Sequence, residues 1–249
     1  MKGIVPCAGM GSRLRPLSIA VPKELLPVGE KPAVHYPVED LVAGGVRHIV
    51  IVINASKTRI RDYLREVFPQ VSFTFVFQED PKGLGFALLE SKRWLDDGPF
   101  VLFLPDNIFF GPEPLSVSLI RAHRRSGKSC VTLFESGKFK AGARVGLEVV
   151  PTAAGFHSVT SMQFVDTSGP VSGMFFGPAA MLFTPEIFPH LESNLARWDA
   201  SRGDYTERPA LEGLISARGL TAAWVEGECF DIGTLGGYTD CLRFLFMKH

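Results

Sequence analysis

Cysteine is scarce and carries no pattern. The four residues, Cys7, Cys130, Cys229 and Cys241, show no C-x-x-C spacing, and each sits in or beside an apolar stretch. That argues against a disulfide frame or a zinc site and for reduced, buried thiols in a cytosolic protein. The six histidines include no H-x-x-x-H pair, which argues against zinc-dependent catalysis. Excess charge is missing too: 26 basic and 26 acidic side chains leave a formal net charge of zero. Without a global field there is no long-range hold on nucleic acid or an anionic membrane, so any bound anion must be gripped locally. No apolar run approaches the ~20 residues that span a bilayer. Arg13 and Arg15 interrupt the N-terminus before a signal peptide's apolar core and cleavage site develop. A cytoplasmic location is the expectation.

What is present suits one domain of 249 residues, 46% hydrophobic and 21% charged. In residues 1–135 strand and helix patterns alternate. Residues 3–8, 48–53, 73–77 and 100–104 read as short buried strands, the second rich in β-branched side chains. Between them, Ser56 can cap a helix presenting Ile60, Tyr63, Leu64 and Val67 on one face. Leu84, Leu88, Ser91 and Leu95 mark a second helix, and residues 115–122 a third. Such alternation implies a Rossmann-like α/β fold, a mixed and mostly parallel sheet flanked by helices, with ligands at the carboxyl ends of the strands. The second half of the chain is less regular. Strand-like runs at 129–134, 146–150, 172–183 and 220–225 and helical runs at 206–217 and 236–247 extend the sheet and supply a second pocket within the same domain.

The stretch after the first strand carries the chemistry. Residues 9–32 show no periodicity, are stiffened by four prolines and carry apolar anchors, which suits an ordered functional loop. Gly9-Met10-Gly11-Ser12-Arg13 lets backbone N–H groups approach an anion. It lacks the third glycine of a dinucleotide fingerprint, and no G-K-[ST] follows as in a P-loop. Residues 1–31 carry an excess of three positive charges within a neutral protein. Arg13 and Lys23 suit phosphate oxygens. A tight turn with solvated surface charges is the plain alternative; the proline-braced combination favours a polyphosphate.

Gly9-x-Gly11-Ser12-Arg13-Leu14-x-Pro16, followed by Pro22-Lys23-Glu24-Leu25-Leu26-Pro27-Val28 and Lys31-Pro32, resembles the signature of sugar-1-phosphate nucleotidyltransferases. Within them it is most similar to glucose-1-phosphate thymidylyltransferases and UTP–glucose-1-phosphate uridylyltransferases. The resemblance implies Mg²⁺-dependent transfer of a nucleotidyl group from UTP or dTTP to a sugar 1-phosphate, with pyrophosphate released. It makes residues 1–135 the nucleotide half and 136–249 the sugar-phosphate half. It assigns nucleotide contacts to Ala8, Gly9, Gly11, Ser12 and Arg13. Arg13 would neutralise departing pyrophosphate, and Lys23 would bridge the reacting phosphates. Gln78 and Gly83 would read the nucleobase, the carboxamide matching the imide edge of uracil or thymine. Asp106, also counted with Arg13 and Lys23 as catalytic, and Asp231 would hold Mg²⁺; each could equally be a turn residue or helix cap. Gly146, Asp166, Gly173 and Arg202 would line the sugar-phosphate pocket, though a solvated loop arginine also describes Arg202. Expected partners are nucleoside triphosphate and sugar 1-phosphate, with a homo-oligomer open.

One departure stands out. The family's Glu-Lys-Pro in the sugar half corresponds here to the region of Phe164-Val165-Asp166-Thr167, and no lysine occurs between Lys140 and Lys248. Asp166 can replace the glutamate; the cation is absent, and Arg144 or Arg202 would have to compensate. The chain also ends soon after the Asp231 motif, without the C-terminal extension that builds oligomer contacts and feedback sites in many of the family. Residues 121–144 hold seven cations against Glu135, with Phe134 and Phe139 the only Phe, Tyr or Trp among them. That reads as a solvated helix end and loop rather than a nucleic-acid groove.

Overall fold

A computed structural model describes residues 1–135, 138–140, 144–165, 175–177 and 179–248. The chain enters through β1 (Lys2–Pro6), then α1 (Leu17–Ala20) and a small ribbon of β2 (Pro27–Val28) and β3 (Lys31–Pro32). Next come α2 (His35–Ala43), β4 (His48–Ile53), α3 (Thr58–Val67), β5 (Ser72–Phe77), α4 (Leu84–Leu95) and β6 (Phe100–Phe103). β7 (Asn107–Phe110), α5 (Leu115–Ser126), β8 (Ser129–Leu133) and β9 (Phe139–Lys140) lead to the long hairpin of β10 (Arg144–Pro151) and β11 (His157–Val165). The rest is β12 (Phe175–Gly177), β13 (Ala180–Phe183), α6 (Ile187–Leu195), α7 (Arg208–Ser216), β14 (Leu220–Trp224), β15 (Glu228–Asp231) and α8 (Leu235–Lys248).

Among the described residues one ten-stranded sheet forms, in the order β12-β10-β11-β14-β8-β13-β6-β1-β4-β5. Strands β5, β4, β1, β6, β8, β14 and β10 run one way; β13, β11 and β12 run against them. The sheet is therefore mixed and mostly parallel. It also runs unbroken across residue 135, because β13 lies between β6 and β8.

The period of two explains both faces of the sheet. In β4, Ile49, Ile51 and Ile53 enter one apolar cluster while Val50 and Val52 enter the other, and all five are fully buried. Helix α3 buries Ile60 and Leu64 on its inner face. Helix α4 buries Ala87, Leu88, Ser91 and Leu95 on the opposite side of the sheet.

Several local features differ from the sequence reading. Asn54, not Ser56, supplies the cap: its Oδ1 accepts from the Ser56 N–H at 3.0 Å and opens a 3-10 turn, after which α3 starts at Thr58 without a side-chain cap. Residues 9–32 are not one loop; they contain two 3-10 turns, α1 and the β2–β3 ribbon. Helices α2 and α6 and strands β7, β11 and β15 also went unanticipated. Within 172–183 the described strands are 175–177 and 180–183, and residues 172–174 and 178 lie outside the described residues.

Candidate functional site

Beyond the carboxyl ends of β1 and β6 is a cavity of about 380 Å³. Its wall includes Ala8, Gly9, Met10 and Ser12 from the glycine loop, Lys23, Gln78 and Gly83, and Asp106. Most of the sequence-predicted nucleotide and catalytic residues, scattered along the chain, thus meet in one place, although Gly11 and Arg13 do not line the cavity. A larger hollow of about 760 Å³, between α2, the β7 region and α8, is lined by Tyr36, Phe109, Phe110 and Phe244. Its carboxylates are already engaged: Glu39 by Lys31 at 2.8 Å, Glu113 by Arg121, and Asp40 by the Leu115 and Ser116 N–H groups at the start of α5. Size alone does not identify the site; the smaller cavity has the anion-binding chemistry.

The two aspartates are joined by a strand register. β15 pairs antiparallel with β7, Asp231 opposite Asn107, and the Ile232 N–H donates to the Asp106 carbonyl at 2.8 Å. The side chains converge over Gly233. A Cβ on that glycine would lie 2.8 Å from Asp231 Oδ1, 2.9 Å from Asp106 Oδ2 and 3.1 Å from an Arg13 nitrogen. Only a residue without a side chain leaves that space open. Arg13 rises from the 3-10 turn Ser12–Leu14, anchored by buried Leu14, and stands 3.9 Å from Asp231. Lys23, in the 3-10 turn after Pro22, donates to Asp106 Oδ2 at 2.5 Å.

The charges bias one another. Burial pushes the Asp106 carboxyl upward, but the Lys23 charge and hydrogen bond, with Arg13 behind them, outweigh it and hold the group below the ordinary carboxylate range. Asp231 shifts the other way, raised by burial and then by the negative charge of Asp106. Burial alone would lower Lys23; Asp106 and Glu24 more than restore it and hold it charged. Two converging carboxylates, one of them strained by the other's charge, are a donor set suited to a hard divalent cation, which binds one or two carboxylates plus substrate phosphates. Among the described residues no group of three or more His, Cys, Asp or Glu side chains could enclose a metal by itself.

Also on the cavity wall, Gln78 is buried beyond β5, and its Nε2 donates to Glu90 at 2.8 Å. No donor to its Oε1 occurs among the described residues, so the carboxamide offers an acceptor. Gly83 sits at φ +109°, where a Cβ would lie 2.4 Å from the Tyr205 carbonyl oxygen. Residues 82–85 and Tyr205 are stitched by two backbone hydrogen bonds, Tyr205 N–H to Lys82 at 2.7 Å and Gly85 N–H to Tyr205 at 2.9 Å. Gly83→Ala is therefore expected to displace this turn, lowering stability by about 1–2 kcal/mol and weakening nucleotide binding; a melting curve with and without UTP measures both.

The sugar-side residues are less gathered. Gly146 is buried in β10 opposite Gln163 and Phe176, and does not line the 380 Å³ cavity. Asp166 and Gly173 lie outside the described residues. Arg202 ends a short 3-10 turn, Ala200–Arg202. Asp204, which the sequence reading left unassigned, does line the cavity beside Gly83. Glu24, Asn54 and Lys57 were passed over as well. Glu24 beside Leu25 and Leu26, and Asn54 at the end of a buried strand, carry a local signal; Lys57, between Ser56 and Thr58, carries none.

Comparison with known proteins bears on the family and the fold. Residues 2–141 match the family described as nucleotidyl transferase. A Bacillus subtilis strain 168 protein provisionally assigned as UTP–glucose-1-phosphate uridylyltransferase is 30% identical over 258 residues, covering 95% of this chain and 93% of its own. A second protein of that strain, named UTP–glucose-1-phosphate uridylyltransferase, is 28% identical and covers 98% and 90%. The fold is similar to that of a UDP-glucose pyrophosphorylase solved with UDP-glucose, at a TM-score of 0.85, 22% identity and 100% and 99% coverage. A UTP-bound UGPase from Acinetobacter baumannii gives a TM-score of 0.79 at 21% identity, covering 100% and 94%.

Proposed function

Because the chain belongs to the nucleotidyl transferase family, we propose that it transfers a nucleotidyl group from UTP or dTTP to a sugar 1-phosphate, with glucose 1-phosphate as the first acceptor to test. The observation that carries the reading is the convergence of Arg13 and Asp231 on Lys23 and Asp106, the latter two lining a cavity that Gln78 and Gly83 also line. An oxygen of the sugar phosphate attacks the α-phosphorus of the nucleotide, forming a new P–O bond. The bond from that phosphorus to the α,β-bridging oxygen breaks, and pyrophosphate leaves with the electron pair. Both reactants are polyanions, so alignment and positive charge supply the acceleration, with no nucleophilic side chain required.

Lys23 is suited to the reacting phosphates and Arg13 to the departing pyrophosphate. Asp106 and Asp231 would hold Mg²⁺, which when bound supplies charge neutralisation on the phosphates. Gln78 selects the base. With its Nε2 committed to Glu90, its oxygen accepts from the N3–H of uracil or thymine, a donor that cytosine lacks. Names of relatives in the uridylyltransferase group support UTP as the nucleotide.

The test is pyrophosphate release by the purified protein, screening nucleoside triphosphates against sugar 1-phosphates with Mg²⁺. Turnover with UTP or dTTP and none with CTP is the expected result. Absence of turnover across the panel defeats the reading. A second reading rests on the missing lysine between Lys140 and Lys248: a lapsed relative that binds nucleotide or sugar phosphate as a regulatory subunit. Tight UTP binding without turnover would favour it.

A further inference from the structure

Three successive carbonyls of the glycine loop are turned toward side chains from residues 54–57. Lys57 Nζ donates to the Cys7 carbonyl at 2.7 Å and to the Gly9 carbonyl at 2.5 Å. Asn54 Nδ2 donates to the carbonyl between them, Ala8, at 2.8 Å. Lys57 completes its bonding on the Glu24 carboxylate, at 2.8 and 3.0 Å. All three side chains are nearly sealed from solvent: Asn54 is 7% exposed, Lys57 5% and Glu24 1%. An ion pair this deep is poor evidence for stability, since desolvation offsets much of the attraction. A role in holding geometry accounts better for its place.

In a planar trans peptide the carbonyl of one residue and the N–H of the next point in opposite directions. Carbonyls 7, 8 and 9 face Lys57 and Asn54, so the N–H groups of Ala8, Gly9 and Met10 face away from them. Those same three residues line the 380 Å³ cavity. Among the described residues none of the three N–H groups has a protein acceptor. Glu24 adjoins Lys23, so one buried pair fixes both the row of donors and the turn that presents the Asp106-bound lysine.

We infer that Asn54 and the Lys57–Glu24 pair are positioning residues, which hold the peptides of residues 7–10 as a fixed row of N–H donors for the nucleotide. The inference rests on the transferase reading only for what occupies the cavity. Two variants test it. Asn54→Ala frees the Ala8 carbonyl, and Lys57→Met combined with Glu24→Leu removes both charges without orphaning either. Calorimetric titration with UTP and Mg²⁺ should show Kd raised about 10- to 100-fold in each, the scale of a small misplacement at a site. The KM for glucose 1-phosphate should move about threefold or less, which a general loss of structure would not give. UTP affinity within about twofold of wild type in a folded variant overturns the inference; if the double variant does not fold, Asn54→Ala decides alone. Wild-type protein that binds UTP without turnover, with both variants weakened, sinks the transferase reading and keeps this one. Turnover with unchanged UTP affinity in the variants does the reverse, and wild-type protein that does not bind UTP sinks both.

Discussion

Asp106→Asn is expected to lower pyrophosphate release by about 10²- to 10³-fold, the usual scale for removing one element of preorganised electrostatic stabilisation. The amide keeps the shape and one oxygen but loses the charge that pairs with Lys23. It also removes the charge that, with burial, raises the Asp231 carboxyl, so Asp231 should ionise more readily in the variant. Steady-state assay across a wide Mg²⁺ range separates the two effects. A defect that extra Mg²⁺ repairs fully would reflect weakened cation binding alone, and a kcat loss that persists at saturating Mg²⁺ is the expected outcome. Full activity in the variant would remove Asp106 from the proposed mechanism.

Lys23→Ala is expected to be of similar size in turnover and to differ in stability. It leaves the Asp106 carboxylate without its 2.5 Å partner. The side chains of Lys23 and Asp106 are 15% and 18% exposed. The loss therefore falls short of a fully buried pair, at about 1–3 kcal/mol. The pH dependence follows from the direction of the shift. Asp106 is held below its ordinary range in the folded state. Its contribution is thus present above the unfolded carboxylate pKa and disappears as pH falls through the folded value. Without Lys23 the carboxyl loses the two largest influences that lower it, and burial pushes it upward against only the backbone hydrogen bond and Arg13. The gap in melting temperature between wild type and Lys23→Ala, measured in a chelator, should be widest near neutrality and narrow on acidification. A gap independent of pH would show that Lys23 does not act through Asp106.

The parts legible from sequence were those with a short local cause. A β-branched run marked β4, because a strand buried on both faces needs apolar residues throughout. Residues 73–77 do form a strand, but β5 is the sheet's edge and only its Val76 is buried, which corrects the reading of it as a buried strand. The glycine and proline pattern of residues 9–32 pointed to the loop that lines the cavity, though not to the turns within it. The resemblance brought Asp106 and Asp231 to attention, but their meeting depends on the β7–β15 register, which no local pattern discloses. Ser56 was read as a cap because the residue type favours it. Asn54 took the position two residues earlier, since its side chain can serve the turn and the Ala8 carbonyl at once. Nothing local marks Lys57; only the fold reveals that Glu24 and two carbonyls surround it.

The β7–β15 ladder has a consequence for how the protein comes into being. Synthesis runs from the N-terminus, and early-emerging segments can begin to fold before later ones exist. The glycine loop, Lys23, Gln78 and Asp106 all precede residue 110, whereas Asp231 arrives on one of the last strands to be made. A nascent chain can therefore possess most of the cavity wall while lacking one jaw of the carboxylate pair. Closure of that jaw is a late event on the ribosome's schedule, and it hangs on a four-residue strand finding its antiparallel mate.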